Sequence, residues 1–140
     1  MARNYRNIRA WQKADELAMK VYELTADFPK TEIYGLTSQM RRAALSVAAN
    51  IVEGSARNHT REYIQFLYLA MGSLAELGYF IDFAGRISYL NPDAAQVLNV
   101  CHEQAAKTLR ALITYIEEHR SENSGPPMSP QSEVRSLSSA

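Results

Sequence analysis

Residues 60–87, TREYIQFLYLAMGSLAELGYFIDFAGRI, decide the fold. Tyr63, Leu67, Ala70, Leu74, Leu77, Ile81 and Ala84 recur at steps that alternate strictly between four and three. That alternation lays one continuous apolar face along an α-helix. Phe66, Met71, Phe80 and Phe83 widen the face, so this helix is expected to be the most buried of the molecule. Thr60 stands where an N-cap is expected, with Glu62 in the first turn on the favourable side of the helix dipole.

Working outward, the preceding segment carries Leu36, Met40, Ala43, Ala44, Val47, Ile51 and Gly54 at the same spacing. It predicts a helix from Leu36 to about Ala56, where a glycine near the end costs little. Upstream, Trp11, Ala14, Leu17, Ala18, Val21, Leu24 and Phe28 predict a helix from about Ile8 to Phe28, stopped by Pro29. Downstream, Asn91-Pro92-Asp93 is a strong helix start. Asn accepts from first-turn amides, Pro is pre-set for the first helical position, and the acid suits the dipole. Leu98, Cys101, Ala105, Leu109, Leu112 and Ile116 give that helix its stripe, to about Arg120.

Four helices of about 20–28 residues joined by short links predict an all-α, antiparallel up-and-down four-helix bundle over residues 1–120. Residues 121–140 are rich in Ser and Pro, with Pro126, Pro127 and Pro130 against helix. They have little to bury and read as a disordered tail.

The 140 residues balance 15 basic against 15 acidic side chains. The balance is uneven along the chain. Residues 1–61 hold ten Lys/Arg against six Asp/Glu, a net of +4, and the remainder carries −4. A dedicated nucleic-acid binder is usually more basic. Charged residues are only 21% of the chain and Tyr numbers eight, a composition compatible with self-association or with half-exposed bundle positions. The single cysteine, Cys101, precludes an internal disulfide and points to a reducing, cytoplasmic setting. No secretory signal or membrane-spanning run is expected.

The search for catalytic chemistry returns little. His59, His102 and His119 are scattered. His102-Glu103 lacks the second histidine of an HExxH zinc site, because position 106 is Ala. No Glu-x-x-His pair offers di-iron ligands. Glu53 and Glu76 could face one another, but two acids without histidine make a poor metal site. Cys101 lies on an apolar stripe and reads as a small buried hydrophobe. Gly72 and Gly78 interrupt a helical pattern, for which close helix packing is the expected reason. Neither catalytic residues, nor a metal, nor a cofactor is expected, and the chain reads as a non-enzyme.

Two surfaces stand out. On the second helix, Gln39, Arg42, Ser46, Asn50, Glu53 and Arg57 form a polar stripe beside Ala43, Ala44, Ala48 and Ala49. Either it is a solvated face with alanine favouring helix, or a packed face whose polar groups pair across helices or subunits. Arg42 and Glu53 lie about 16 Å apart along the helix and cannot pair directly. Glu53 and Arg57 can pair at i,i+4. The second surface is the basic N-terminus, where Arg3, Arg6, Arg9 and Lys13 interleave with Asn4, Tyr5, Asn7 and Trp11. Cations among aromatics and amides suit RNA, and a solvated terminus is the plainer alternative.

Trp11-Gln12-Lys13-Ala14, Val21-Tyr22, Phe28-Pro29, Glu32, Tyr34-Gly35-Leu36, Gln39, Arg41-Arg42-Ala43-Ala44, Ser46-Val47, Asn50-Ile51 and Glu53-Gly54 form one ordered series. Phe66-Leu67, Ala70, Gly72-Ser73-Leu74 and Glu76 continue it. In order and spacing, over roughly residues 8–118, the series resembles the bacterial four-helix bundle family known as S23 or 23S rRNA intervening-sequence proteins. The resemblance implies a ring-like homopentamer encoded within 23S rRNA gene insertions or standing alone. It also implies kinship with the accessory subunit of diversity-generating retroelement reverse transcriptases, which binds that enzyme and nucleic acid. That branch is strongly basic, whereas this chain is neutral.

The expected function is a non-catalytic, homo-oligomeric accessory scaffold for RNA or an RNA-processing protein such as a reverse transcriptase. Arg3, Arg6, Arg9, Lys13, Arg41, Arg42, Arg57 and Arg61 are the candidate nucleic-acid contacts. Gln39, Arg42, Ala43, Ser46, Ala49, Asn50, Glu53 and Glu76 are the candidate packing or oligomer face. The alternative is a protein-interaction module with no nucleic-acid role.

Overall fold

The computed structural model describes residues 3–120. The Ser/Pro-rich tail expected at 121–140 lies outside the described residues. Four helices follow in order: α1 (Arg9–Thr25), α2 (Leu36–Ser55), α3 (Thr60–Arg86) and α4 (Pro92–Glu118). There is no strand among the described residues. Short 3-10 turns at Tyr5–Asn7 and Lys30–Glu32 lead into α1 and α2. Each helix packs on the next in the chain and α4 packs back on α1, making a bundle.

The apolar stripes meet in one core. Leu17, Val21, Met40, Val47, Ile51, Leu67, Leu74, Leu77, Ile81, Leu98 and Leu109 are all at most 2% exposed. By length and composition, α3 is the one helix among the described residues that could cross a bilayer. Its apolar stripe is buried within the bundle.

The helix ends follow local chemistry. The Asn91 side chain accepts from the Ala94 amide at 2.8 Å, with Pro92 at the first helical position, as the sequence predicts. α1 stops at Thr25, three residues short of the expected Phe28. The residue before a proline is pushed out of the helical region, so the chain leaves α1 ahead of Pro29. Thr60 is not the cap of α3. It is already helical, and His59 holds the extended cap position with its carbonyl accepting from Tyr63.

α3 ends in a Schellman motif. The Tyr89 amide donates to the Ala84 carbonyl at 2.9 Å and the Ser88 amide to Gly85 at 3.1 Å. Ser88 therefore sits at φ 65°, a left-handed conformation usually given to glycine.

Two glycines let helices approach closely. A Cβ at Gly54 on α2 would stand 2.8 Å from the Phe66 Cβ and 3.0 Å from the Tyr63 ring of α3. A Cβ at Gly78 on α3 would stand 2.9 Å from the His102 imidazole of α4. Gly72 corrects the expectation of close packing, because within the chain a Cβ there meets nothing within 4 Å.

Candidate interaction surfaces

The N-terminal segment is fastened to the far side of the α2–α3 turn. The Arg3 guanidinium donates to the Arg57 carbonyl at 3.1 Å and the Ser55 carbonyl at 3.5 Å, and lies 4.4 Å from the centre of the Tyr63 ring. It thereby satisfies carbonyls at the end of α2, where the dipole favours a cation. Burial pushes the Tyr63 hydroxyl above its ordinary value, with the Arg3 charge acting against that rise. Arg57 bonds Glu53 at 3.3 Å and covers the Phe66 ring. Arg61 opens α3 just beyond and is exposed. Arg6 and Arg9, exposed as well, follow Arg3 within two helical turns. Five candidate cations thus gather at one end of the bundle, with Lys13 a turn along α1.

Arg41 and Arg42 do not join them. Arg42 is 13 residues before Ser55, the end of α2, about 20 Å from it at the helical rise. Arg41 is half-buried and engaged internally. Its Nε donates to Thr25 Oγ1 at 3.0 Å, its NH2 to the Tyr22 carbonyl at 3.3 Å, and it covers the Tyr22 ring. Arg42 faces out and bonds Glu76 of α3 at 2.7 Å and Gln39 Oε1 at 3.0 Å.

The polar stripe of α2 is a packed seam along part of its length. Ser46 and Ser73 hydroxyls meet at 2.8 Å, and Asn50 bonds the Ser46 carbonyl at 2.8 Å. Ala43 is 0% exposed and belongs to the bundle core, so no other molecule reaches it. Ala49 is exposed on the other flank. Glu53 pairs with Arg57 and Glu76 with Arg42, so these two acids do not form a site together.

The outward face of α3 is apolar at its middle. Tyr68 is 52% exposed, Leu69 57% and Tyr79 57%, with exposed Gly72 and Ala75 between them. The Tyr68 hydroxyl donates to Glu117 at 2.8 Å, an arrangement that raises its ionisation above the ordinary value. Exposed apolar side chains grouped on one helix face are the kind of surface that partners use. Tyr68, Leu69 and Tyr79 lie on neither apolar stripe of α3 that the sequence shows. Their residue types at i, i+1 and i+11 were the available signal.

No group of three His, Cys, Asp or Glu side chains comes together among the described residues. Cys101 is half-buried, and burial pushes its thiol above the ordinary value, with the Glu16 carboxylate adding to the rise and Lys20 and Lys13 opposing it.

No curated protein matches the chain. A crystal structure from Bacteroides thetaiotaomicron, of a protein of unknown function from the S23 ribosomal protein family, shares the fold. It superposes with a TM-score of 0.67 over 74% of this chain and 97% of that one, at 20% identity. The family model of the 23S rRNA-intervening sequence protein matches residues 6–111, which takes in most of all four helices and the N-terminal Arg6. The chain belongs to the 23S rRNA-intervening sequence protein family.

Proposed function

We propose that this protein is a non-catalytic, homo-oligomeric scaffold that holds RNA or an RNA-processing protein. The single observation that carries this reading is the gathering of Arg3, Arg6, Arg9, Arg57 and Arg61 at one end of the bundle. In a ring of copies, each subunit repeats that cluster. A modest charge per chain then becomes a larger local field for phosphates. Arg3 serves chiefly to hold the cluster together, while Arg6, Arg9 and Arg61 face solvent.

The bundle in this reading is antiparallel and up-and-down. The order of α2–α3 contacts supports it: Arg42 meets Glu76, Ser46 meets Ser73, and Gly54 meets Phe66 and Tyr63. The outward face of α3, with Ala49 and Leu45 of α2, is where copies would join. Five copies is the number the family resemblance implies. A cytoplasmic place, with α3 buried in the bundle rather than in lipid, completes the reading.

A second reading rests on the same outward face. Exposed Tyr68, Leu69 and Tyr79 suit a protein partner, and the neutral overall charge is compatible with a module that binds no nucleic acid.

The deciding experiment is RNA binding by nuclease-treated protein across a salt series, with mass measured by light scattering. Affinity falling steeply with salt, and weakened by Arg6→Glu with Arg9→Glu, supports the first reading. No binding at low salt removes it and leaves the second.

A further inference from the structure

The start of α1 and the second half of α4 leave a groove of about 630 Å³ between them. Ile8, Ala10, Ala111 and Leu112 give it an aliphatic floor, of which Ala10 is 2% exposed. The volume is in the range of small-molecule sites.

The charges around this floor are all of one sign. Arg9, Lys13 and Lys107 line the groove, and no carboxylate does. Arg9 and Lys107 have no ion-pair partner among the described residues. Lys13 reaches Glu16 at 3.4 Å, a surface pair of little strength. The groove also takes in the first residues of α1. Ile8 is at the cap, no side chain caps the helix and no acid lies in its first turn. Among the described residues, nothing in the first turn of this 17-residue helix offsets its positive end. No aromatic ring lines the groove, so a nucleobase finds no stacking platform.

We propose that the α1/α4 groove binds a linear aliphatic anion. Its carboxylate or phosphate monoester head lies among Arg9, Lys13 and Lys107, and its hydrocarbon chain lies along Ile8, Ala10, Ala111 and Leu112. Cation-lined apolar grooves favour this class because the head forms charge-assisted bonds while the chain leaves water. The inference stands apart from the RNA reading, although Arg9 and Lys13 are shared, so a bound amphiphile and RNA compete for those two side chains.

The test titrates the full chain with decanoate, decyl phosphate and decanol by calorimetry, below the concentrations at which they form micelles. The variants are Lys107→Glu and Ala111→Trp, both at exposed positions, with Lys30→Glu in the turn between α1 and α2 as control. Melting curves of the unliganded variants verify their fold. The expected result is saturable binding of either anion at one site per chain. It weakens at least about tenfold in Lys107→Glu, disappears in Ala111→Trp and is unchanged in Lys30→Glu. Tighter binding of decyl phosphate than decanoate identifies a phosphate head, and parity identifies a carboxylate as sufficient. No saturable binding of either anion, equal affinity for decanol, or retention by both groove variants overturns the proposal. So does a chain that ignores the amphiphiles while its RNA affinity drops in Lys107→Glu, which makes the groove a nucleic-acid surface.

Discussion

The imidazole of His102 on α4 lies directly over Gly78 on α3, its Nε2 at 2.7 Å from the Leu74 carbonyl oxygen. A methyl group at position 78 would stand 2.9 Å from that nitrogen, so the imidazole must shift and strain its hydrogen bond to admit alanine. Alanine in a helix interior is otherwise worth up to about 1 kcal/mol over glycine. Gly78→Ala is therefore expected to stabilise the His102→Ala background and to lose that gain with His102 in place. A double-mutant cycle by urea denaturation should show coupling of at least about 1 kcal/mol. Additive effects would mean that the imidazole moves aside freely.

Gly54→Ala is a harsher change. The neighbours there are the Phe66 Cβ and the Tyr63 ring and backbone, which cannot swing away as a side-chain tip can. α2 and α3 must separate, at an expected cost of about 1–3 kcal/mol. Loss of stability should appear as a lower denaturation midpoint with an unchanged slope.

Two alanines on one helix should behave in opposite ways. Ala43 is wholly buried, and Ala43→Glu places an unpaired charge in the core, costing about 4 kcal/mol or more. Ala49 is exposed, so Ala49→Glu leaves the melting of the isolated subunit near wild type and, in the proposed homo-oligomer, lowers the mass. Light scattering that returns the wild-type mass for Ala49→Glu would remove this flank of α2 from the contact between copies.

Ser88 closes α3 in a conformation that L-residues adopt at a cost of about 1–2 kcal/mol. Ser88→Gly is expected to raise stability by about 1 kcal/mol, offset in part by the greater freedom of glycine in the unfolded chain. A fall in the thermal midpoint would show that the Ser88 side chain has a role of its own.

Cys101 should react slowly with iodoacetamide. Burial, then the nearby Glu16 carboxylate, raises its thiol, so at about pH 8 a smaller fraction is thiolate than in free cysteine. The rate deficit should shrink as pH rises through the shifted value. Reaction at the rate of free cysteine at every pH would contradict the burial seen here.

The helices were legible because their signals are local. The four-three alternation of Tyr63 through Ala84 and the Asn91-Pro92-Asp93 start need no tertiary partner to be read. The Glu53–Arg57 pair follows from spacing on a single helix in the same way. What escaped depends on which helices become neighbours. Gly54 looked like a harmless glycine near a helix end, and only the approach of Phe66 gives it a role. Gly72 and Gly78 carry the same sequence signal, yet one meets His102 and the other meets nothing in its own chain. Arg41 and Arg42 are adjacent in sequence, and the rotation of α2 sends one to Thr25 and the other to Glu76. The α1/α4 groove joins Arg9 to Lys107 across nearly the whole chain, which periodicity within one helix does not reveal.

The clasp of Arg3 on the α2–α3 turn has a consequence for synthesis. Arg3 leaves the ribosome ahead of its acceptors at Ser55 and Arg57, which follow 52 and 54 positions later. α1 likewise waits for α4, its neighbour on one side and the last of these four helices in chain order. During translation α2 and α3 can join first, while the cationic N-terminal segment stays unattached until its anchor emerges. For that interval Arg3 lacks the carbonyls that hold it in the folded protein.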